Sequence, residues 1–252
     1  MEITPWTLQG PRARLDGQHL SLTIHLLRPC DGFGDIRYLG CSLKDVSPLR
    51  IFLPPLSETA DQEQLAEAYV RGDDLVAAYI ETALRPVRPQ AYWRAILPSG
   101  PAAGVQLILS MQTSLLDSDP GTLTETALPV DEVWHCTNAE RGEFRHVRVE
   151  PHRPCPLRPD MGTSLCLFRL PGDQFSYAEM LHPSDYVGAC LERQPTDQPR
   201  LSLRYELFSE HLEKGVIRRV RAQSVFLPRR DDQDLALELL RQLSTAPPPL
   251  TA

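Results

Sequence analysis

Apolar and polar side chains alternate along most of this sequence, and the alternation predicts strands. A strand turns successive side chains to opposite faces, so a half-buried strand reads apolar at every second position. Leu20, Leu22, Ile24 and Leu26 share one parity, with His19, Ser21, Thr23 and His25 on the other. Asp16-Gly17, just before that run, predicts a tight hairpin turn. A further strand is expected over 36–43, and an apolar run over 49–53 stops at Pro54-Pro55. Val105, Leu107, Leu109, Met111, Thr113 and Leu115 then share one face. Gln106, Ser110, Gln112 and Ser114 share the other, with Ile108 the exception. Later, Leu201, Leu203, Tyr205 and Leu207 alternate with Ser202, Arg204 and Glu206.

Two stretches leave this period. Residues 57–68 form a helix candidate, with Ser57 or Thr59 as its cap and acids in its first turn to suit the helix dipole. Near the end, Asp231 or Asp232 is expected to cap a helix carrying Leu235, Leu237, Leu239, Leu240 and Leu243 on an apolar side that docks on a sheet. The last residues, 247–252, carry no pattern and read as a disordered tail.

The alternating region is read as a duplication. Segment 69–133 matches segment 163–228 at Gly72-Asp73 with Gly172-Asp173, and at Tyr79-x-Glu81 with Tyr177-x-Glu179. Tyr92 matches Tyr186, Leu107-x-Leu109 matches Leu201-x-Leu203, and Leu128-Pro129 matches Leu227-Pro228. The expected fold is mainly β: two tandem four-stranded antiparallel repeats, packed as a sandwich or barrel-like unit with pseudo-twofold symmetry, plus a C-terminal helix. Residues 1–68 precede the first repeat as strands and a short helix. A polar bridge, 134–162, contains a hairpin-like stretch at 142–150, and the helix occupies 229–246.

Composition sharpens this picture. The chain of 252 residues has 24 prolines, well above the usual ~5%. They separate the alternating runs and disfavour long helices. A formal net charge of −7 argues against nucleic acid as a partner. Arg218, Arg219, Arg221, Arg229 and Arg230 reverse the charge locally, as a solvated strand face or as a patch for an acidic partner. No apolar run approaches the ~18 residues of a membrane span. The N-terminal residues show no basic start followed by an apolar core, so no leader is expected. Six cysteines without CxxC spacing read as reduced, in a cytoplasmic protein.

Candidate chemistry is sparse. His135, Cys136, His146, His152 and Cys155 are of types that zinc accepts, but their spacing fits no zinc signature, so no metal is expected. No cofactor loop, GxSxG elbow or P-loop is present. The repeated Tyr79-x-Glu81 and Tyr177-x-Glu179 suggest two carboxylates in equivalent, partly buried places, as a general acid and base require. The simpler reading is a pair of strand-end glutamates salt-bridged to Arg94 or Arg193. Trp93 and Arg94 offer an aromatic and a guanidinium surface to a ligand, or a core tryptophan beside a snorkelling arginine. Three functions follow: a non-enzymatic interaction or adaptor module, a small-molecule binding β-barrel lined by Trp93, Tyr79 and Tyr177, and an enzyme using Glu81 and Glu179. The partner, the ligand and the oligomeric state are not written in the sequence.

Overall fold

The structure is a computed structural model that describes residues 4–54, 63–96, 100–194 and 200–247. It is mainly β, with three antiparallel sheets and one α-helix among the described residues. The first sheet is a meander of β1 (Trp6–Gln9), β2 (Arg12–Asp16), β3 (Leu20–His25), β4 (Phe33–Tyr38) and β5 (Cys41–Ser42). Gly17 closes the expected turn after β2, its N–H bonding the Leu20 carbonyl at 2.9 Å. The single strand expected over 36–43 is instead two strands. Leu39 and Gly40 both adopt positive φ and reverse the chain between β4 and β5.

The chain continues through β6 (Ser47–Phe52), β7 (Leu65–Arg71), β8 (Asp74–Tyr79), β9 (Arg88–Ile96), β10 (Ala103–Gln112), β11 (Thr122–Pro129), β12 (Glu132–Asn138) and β13 (Glu143–His146). It goes on to β14 (Cys155–Leu157), β15 (Cys166–Arg169), β16 (Phe175–Leu181), β17 (Ala189–Gln194), β18 (Arg200–Leu207), β19 (Ile217–Pro228) and the helix α1 (Asp232–Thr245). The large sheet has nine strands in the order β13-β12-β15-β16-β19-β10-β9-β8-β7. The third sheet runs β14-β17-β18-β11-β6.

Helix formation over 57–68 is not what the chain does where it is described. Residues 57–62 lie outside the described residues, and Leu65–Arg71 is β7, held by pairing with β8. Tyr69 and Val70 favour a pleated surface. The two segments expected to be equivalent four-stranded units are laid out differently. In 69–133, β8, β9 and β10 stay together in the large sheet, and only β11 crosses to the third. In 163–228, β17 and β18 cross while β15, β16 and β19 remain. The matched pairs Leu107/Leu109 and Leu201/Leu203 therefore belong to different sheets, because every alternating strand obeys the same period whichever sheet it joins. The stretch 142–150 is not a self-contained hairpin either: β13 pairs back on β12, and the chain beyond it runs extended.

Both smaller sheets cover the same face of the large sheet, and one continuous apolar core fills the space between. Leu75, Ala77, Trp93, Val105, Leu107, Leu109, Tyr177 and Phe226 face that core from the large sheet. Leu201, Leu203, Tyr205 and Leu207 face it from the third sheet, as their parity requires, and Leu15, Leu22 and Tyr38 face it from the first. Ile108 is the exception by parity because it points outward, where it packs with Val76 and Tyr92. Leu115, placed on the inner parity by the sequence, lies beyond the end of β10 and is exposed.

The outer face of the large sheet is covered in part by α1. Ala236, Leu237, Leu239, Leu240 and Leu243 bury against Cys136, Leu165, Leu167, Met180 and Leu227. Leu235 is only half-buried, and Asp231 makes no side-chain cap. Asp232 is buried instead, accepting from Ser176 at 2.7 Å and from Arg169 at 3.1 Å.

Candidate functional site

The residues singled out by sequence do not converge. Tyr79 is buried, and its hydroxyl donates to the Leu26 carbonyl at 3.0 Å, tying the large sheet to the first. Burial holds its phenol far above its ordinary pKa. Trp93 is buried on the inner face. Arg94, next along β9, points outward and grips Asp74 through two bonds of 2.7 and 2.9 Å. Trp93 and Arg94 thus sit on opposite sides of one sheet and cannot line one pocket. Arg193 is no partner for either glutamate, its Nε bonding the Val149 carbonyl at 3.1 Å.

Glu81 and Glu179 are not a pair. Glu81 lies past the end of β8, accepts from Ser114 Oγ at 2.7 Å and faces Arg88 at 3.6 Å. Glu179 is on β16, four places from β8 in the sheet, which separates the two strands by about 19 Å at the usual spacing. Two carboxylates serving one glycosidic centre sit within about 10 Å of each other.

Glu179 nevertheless has the most unusual surroundings. It lies in a row across the inner face in which His135, Cys166, Glu179 and Ser224 are successive cross-strand partners. All four are sealed from solvent. From the opposing third sheet, Thr126 Oγ1 donates to Glu179 Oε2 at 2.5 Å and accepts the Leu49 N–H at 2.8 Å. The Tyr177 hydroxyl also donates to Oε2. Ser224 Oγ stands 2.9 Å from the same hydroxyl. A phenol carries one proton, so while Glu179 is ionised and takes it, Ser224 serves as the donor to Tyr177. Oε1 has no partner. Burial pushes this carboxyl up to about 7, against the two hydroxyl bonds that favour the ionised form. No described cleft is lined by Glu179. Its observed contacts tie two sheets together from within the core.

The metal candidates are dispersed as well. His135 faces inward and Cys136 outward, both fully buried, with Cys136 in the apolar cluster under α1. His135 Nε2 bonds the Thr163 carbonyl at 2.8 Å, which fixes the proton on Nε2, and burial lowers its pKa. His146 is exposed and packs edge-on against Trp134. His152 is exposed on a left-handed turn, and Cys155 is half-buried on β14. Among the described residues, no three His, Cys, Asp or Glu side chains gather as a metal ion needs.

The arginines read as a solvated strand face or as a patch for an acidic partner have separate partners where these are seen. Arg221 is buried against Asp185 at 3.1 Å, Arg229 donates to the Leu170 carbonyl, and Arg218 pairs with Glu210.

Sequence reasoning missed two surface features, one at each end of the sandwich. At the end where β10 leaves and β19 enters, Leu84, Leu115, Leu116, Val216 and Ile217 are exposed. They make up five of the seven exposed large hydrophobic side chains among the described residues. Their loops touch: Thr113 Oγ1 bonds the Pro86 carbonyl, Gln112 pairs with Ile217, and Ser118 bridges Leu212. At the other end a cleft of about 680 Å³ opens between the start of β12, the extended chain after β13, and the facing ends of β17 and β18. The doublet Leu115-Leu116 beside the turn residues Asp117 to Gly121 was a readable signal for the first feature. The cleft needs three sequence-distant segments and left no local signal.

No protein-family model matches the sequence, and no curated protein matches it. Among solved structures, the chain is similar to a putative aldose 1-epimerase from Klebsiella pneumoniae, at 8% identity and a TM-score of 0.57, covering 98% of this chain and 90% of that one. It is also similar to a TPR-domain containing protein from Parabacteroides distasonis, at 10% identity and a TM-score of 0.58, covering 86% of this chain and 46% of that one. An alpha-galactosidase from Lactobacillus brevis matches at 11% identity and a TM-score of 0.46, over 91% of this chain and 42% of that one. The chain thus spans less than half the length of these last two proteins. At such identities the first two likenesses concern the fold.

Proposed function

We propose that the chain is a non-catalytic interaction module that pairs with a second copy of itself through the loop end of the sandwich. The observation that carries this reading is the gathering of Leu84, Leu115, Leu116, Val216 and Ile217 on three loops in mutual contact, with Leu84 81% and Leu116 84% exposed. A contiguous exposed apolar patch rimmed by polar groups is a usual mark of an interaction surface.

Charge selects the partner. The chain as a whole carries −7, so two copies repel over most approaches. The loop end is close to neutral. Its acids Glu81, Asp117, Asp119, Glu210 and Glu213 are met by Arg88, Lys214, Arg218, Arg219 and His211. Within this set Glu81 faces Arg88, Asp117 faces His211 at 2.7 Å, and Glu210 faces Arg218. The bond to Asp117 holds the His211 imidazole above its ordinary pKa. A twofold interface must be self-complementary, and a patch with both signs at its rim and leucines at its centre meets that condition.

The test is gel filtration with light scattering on wild type, Leu116→Glu and the double variant Leu116→Glu/Ile217→Glu. Wild type is expected to elute as a dimer and both variants as monomers with unchanged melting temperature, since neither side chain is buried in the fold. Equal masses for all three proteins overturn the reading.

A further inference from the structure

The cleft at the opposite end of the sandwich has a chemistry of its own. Its floor is apolar: Val133, Val147, Val149 and Leu201 are all buried, and Val130 flanks them. Alternation explains the floor. In the extended stretch after β13, Val147 and Val149 turn inward while His146, Arg148 and Glu150 turn out. The stretch is pinned by the Val147 N–H on the Val133 carbonyl at 2.8 Å and by Arg193 on the Val149 carbonyl at 3.1 Å. The walls are therefore fixed by hydrogen bonds before anything binds. A volume of about 680 Å³ lies within the range of small-molecule sites.

The rim decides the ligand's charge. Of the acids at the cleft, Glu132 is held by Arg169 at 3.0 Å and by the Trp134 indole N–H at 3.1 Å, and these bonds lower its pKa. Glu150 faces Arg153 at 3.4 Å. Asp131 has no ion pair among the described residues. The cations Arg148 and Arg193 likewise have none, since Arg193 uses only Nε and on a carbonyl. Two uncompensated guanidinium groups thus stand against one uncompensated carboxylate. Arg148 also lines the adjoining smaller cleft with Arg153 and Arg158, so the basic surface continues past the rim. Residues 141–158 hold five arginines and two histidines against two glutamates, within a chain of net charge −7.

We infer that this cleft is a binding site for a small organic anion with an apolar body. The apolar part lies on the valine floor, and the carboxylate or similar head meets Arg148 and the free end of Arg193. Guanidinium is suited to this task, because its planar fork matches a carboxylate and it is weakly hydrated beside apolar surface. The inference is independent of the pairing at the other end.

The test is calorimetric titration of the full chain with octanoate, octanol and octylammonium in low salt. Octanoate is expected to bind saturably at one per chain, octanol more weakly, and octylammonium least. Charge reversal at the exposed Arg148→Glu is expected to weaken octanoate by about tenfold while leaving octanol unchanged. Asp131→Asn is expected to tighten octanoate. Leu116→Glu is expected to leave octanoate binding at the wild-type value, which separates this site from the apolar loop end. No saturable binding of octanoate, equal binding by Arg148→Glu, or octylammonium binding as well as octanoate overturns the inference, whatever the mass measurements show.

Discussion

At the scale of single residues, Glu179 sets the clearest expectation. Its carboxyl titrates at about 7 in the folded chain, against 4.5 ordinarily. A group whose pKa is raised by folding contributes stability that is full below its unfolded value and is lost as pH rises through the folded one. Between pH 4.5 and about 7 the fold therefore loses about 3 kcal/mol from this group. Urea unfolding at pH 5 and pH 8 checks this. Wild type is expected to lose that amount relative to Glu179→Gln, and parallel stabilities for the two proteins would contradict it. A second expectation concerns Gly104, where β10 and β19 approach closely. A Cβ there meets the Ser224 carbonyl oxygen at 2.2 Å and the Val225 Cα at 2.8 Å. Both are backbone atoms that cannot step aside, so Gly104→Ala is expected to cost about 1–3 kcal/mol by thermal melt.

At the scale of elements, α1 shows what a sequence reveals and what it hides. The leucine spacing of 235–243 marked the helix and its buried side, and the structure buries that side on the large sheet. The choice between Asp231 and Asp232 was not readable, because capping depends on how the chain leaves β19. Asp231 adopts a left-handed φ of 58° and caps nothing with its side chain, while Asp232 is folded under the helix onto Ser176 and Arg169. Asp231→Ala is thus expected within ~0.5 kcal/mol of wild type. Asp232→Ala is expected to lose about 1–3 kcal/mol, because it removes two of the three side-chain bonds of Arg169, which keeps Glu132, and the carboxylate partner of the buried Ser176. Chemical denaturation of the two variants decides this, and equal losses would overturn the assignment. Strand parity was legible in the same way. The inward sets on β10 and β18 were correctly separated from their outward neighbours, since the period of two is local. Sheet membership was not, because it depends on pairings between residues as far apart as Ala103 and Phe226. Of the strands matched between 69–133 and 163–228, β8 and β16 share the large sheet, while β10 and β18, and β11 and β19, lie in different sheets.

At the scale of the whole molecule, the candidate site was the least legible part. Tyr79, Tyr177 and Glu179 are buried, but the repeated Tyr-x-Glu did not say which side of its strand faces the core. Parity alone could not show that Glu81 overruns its strand, or that four strand spacings separate the two glutamates. The features that organise the surface, an apolar loop end and a basic-rimmed cleft, are assembled from segments far apart in sequence.

Whether this sandwich pairs through its loop end is decided by sedimentation equilibrium of the wild-type chain across micromolar concentrations. The mass is expected to rise to twice the 28.4 kDa of one chain. A mass that stays at that of one chain at every concentration contradicts it.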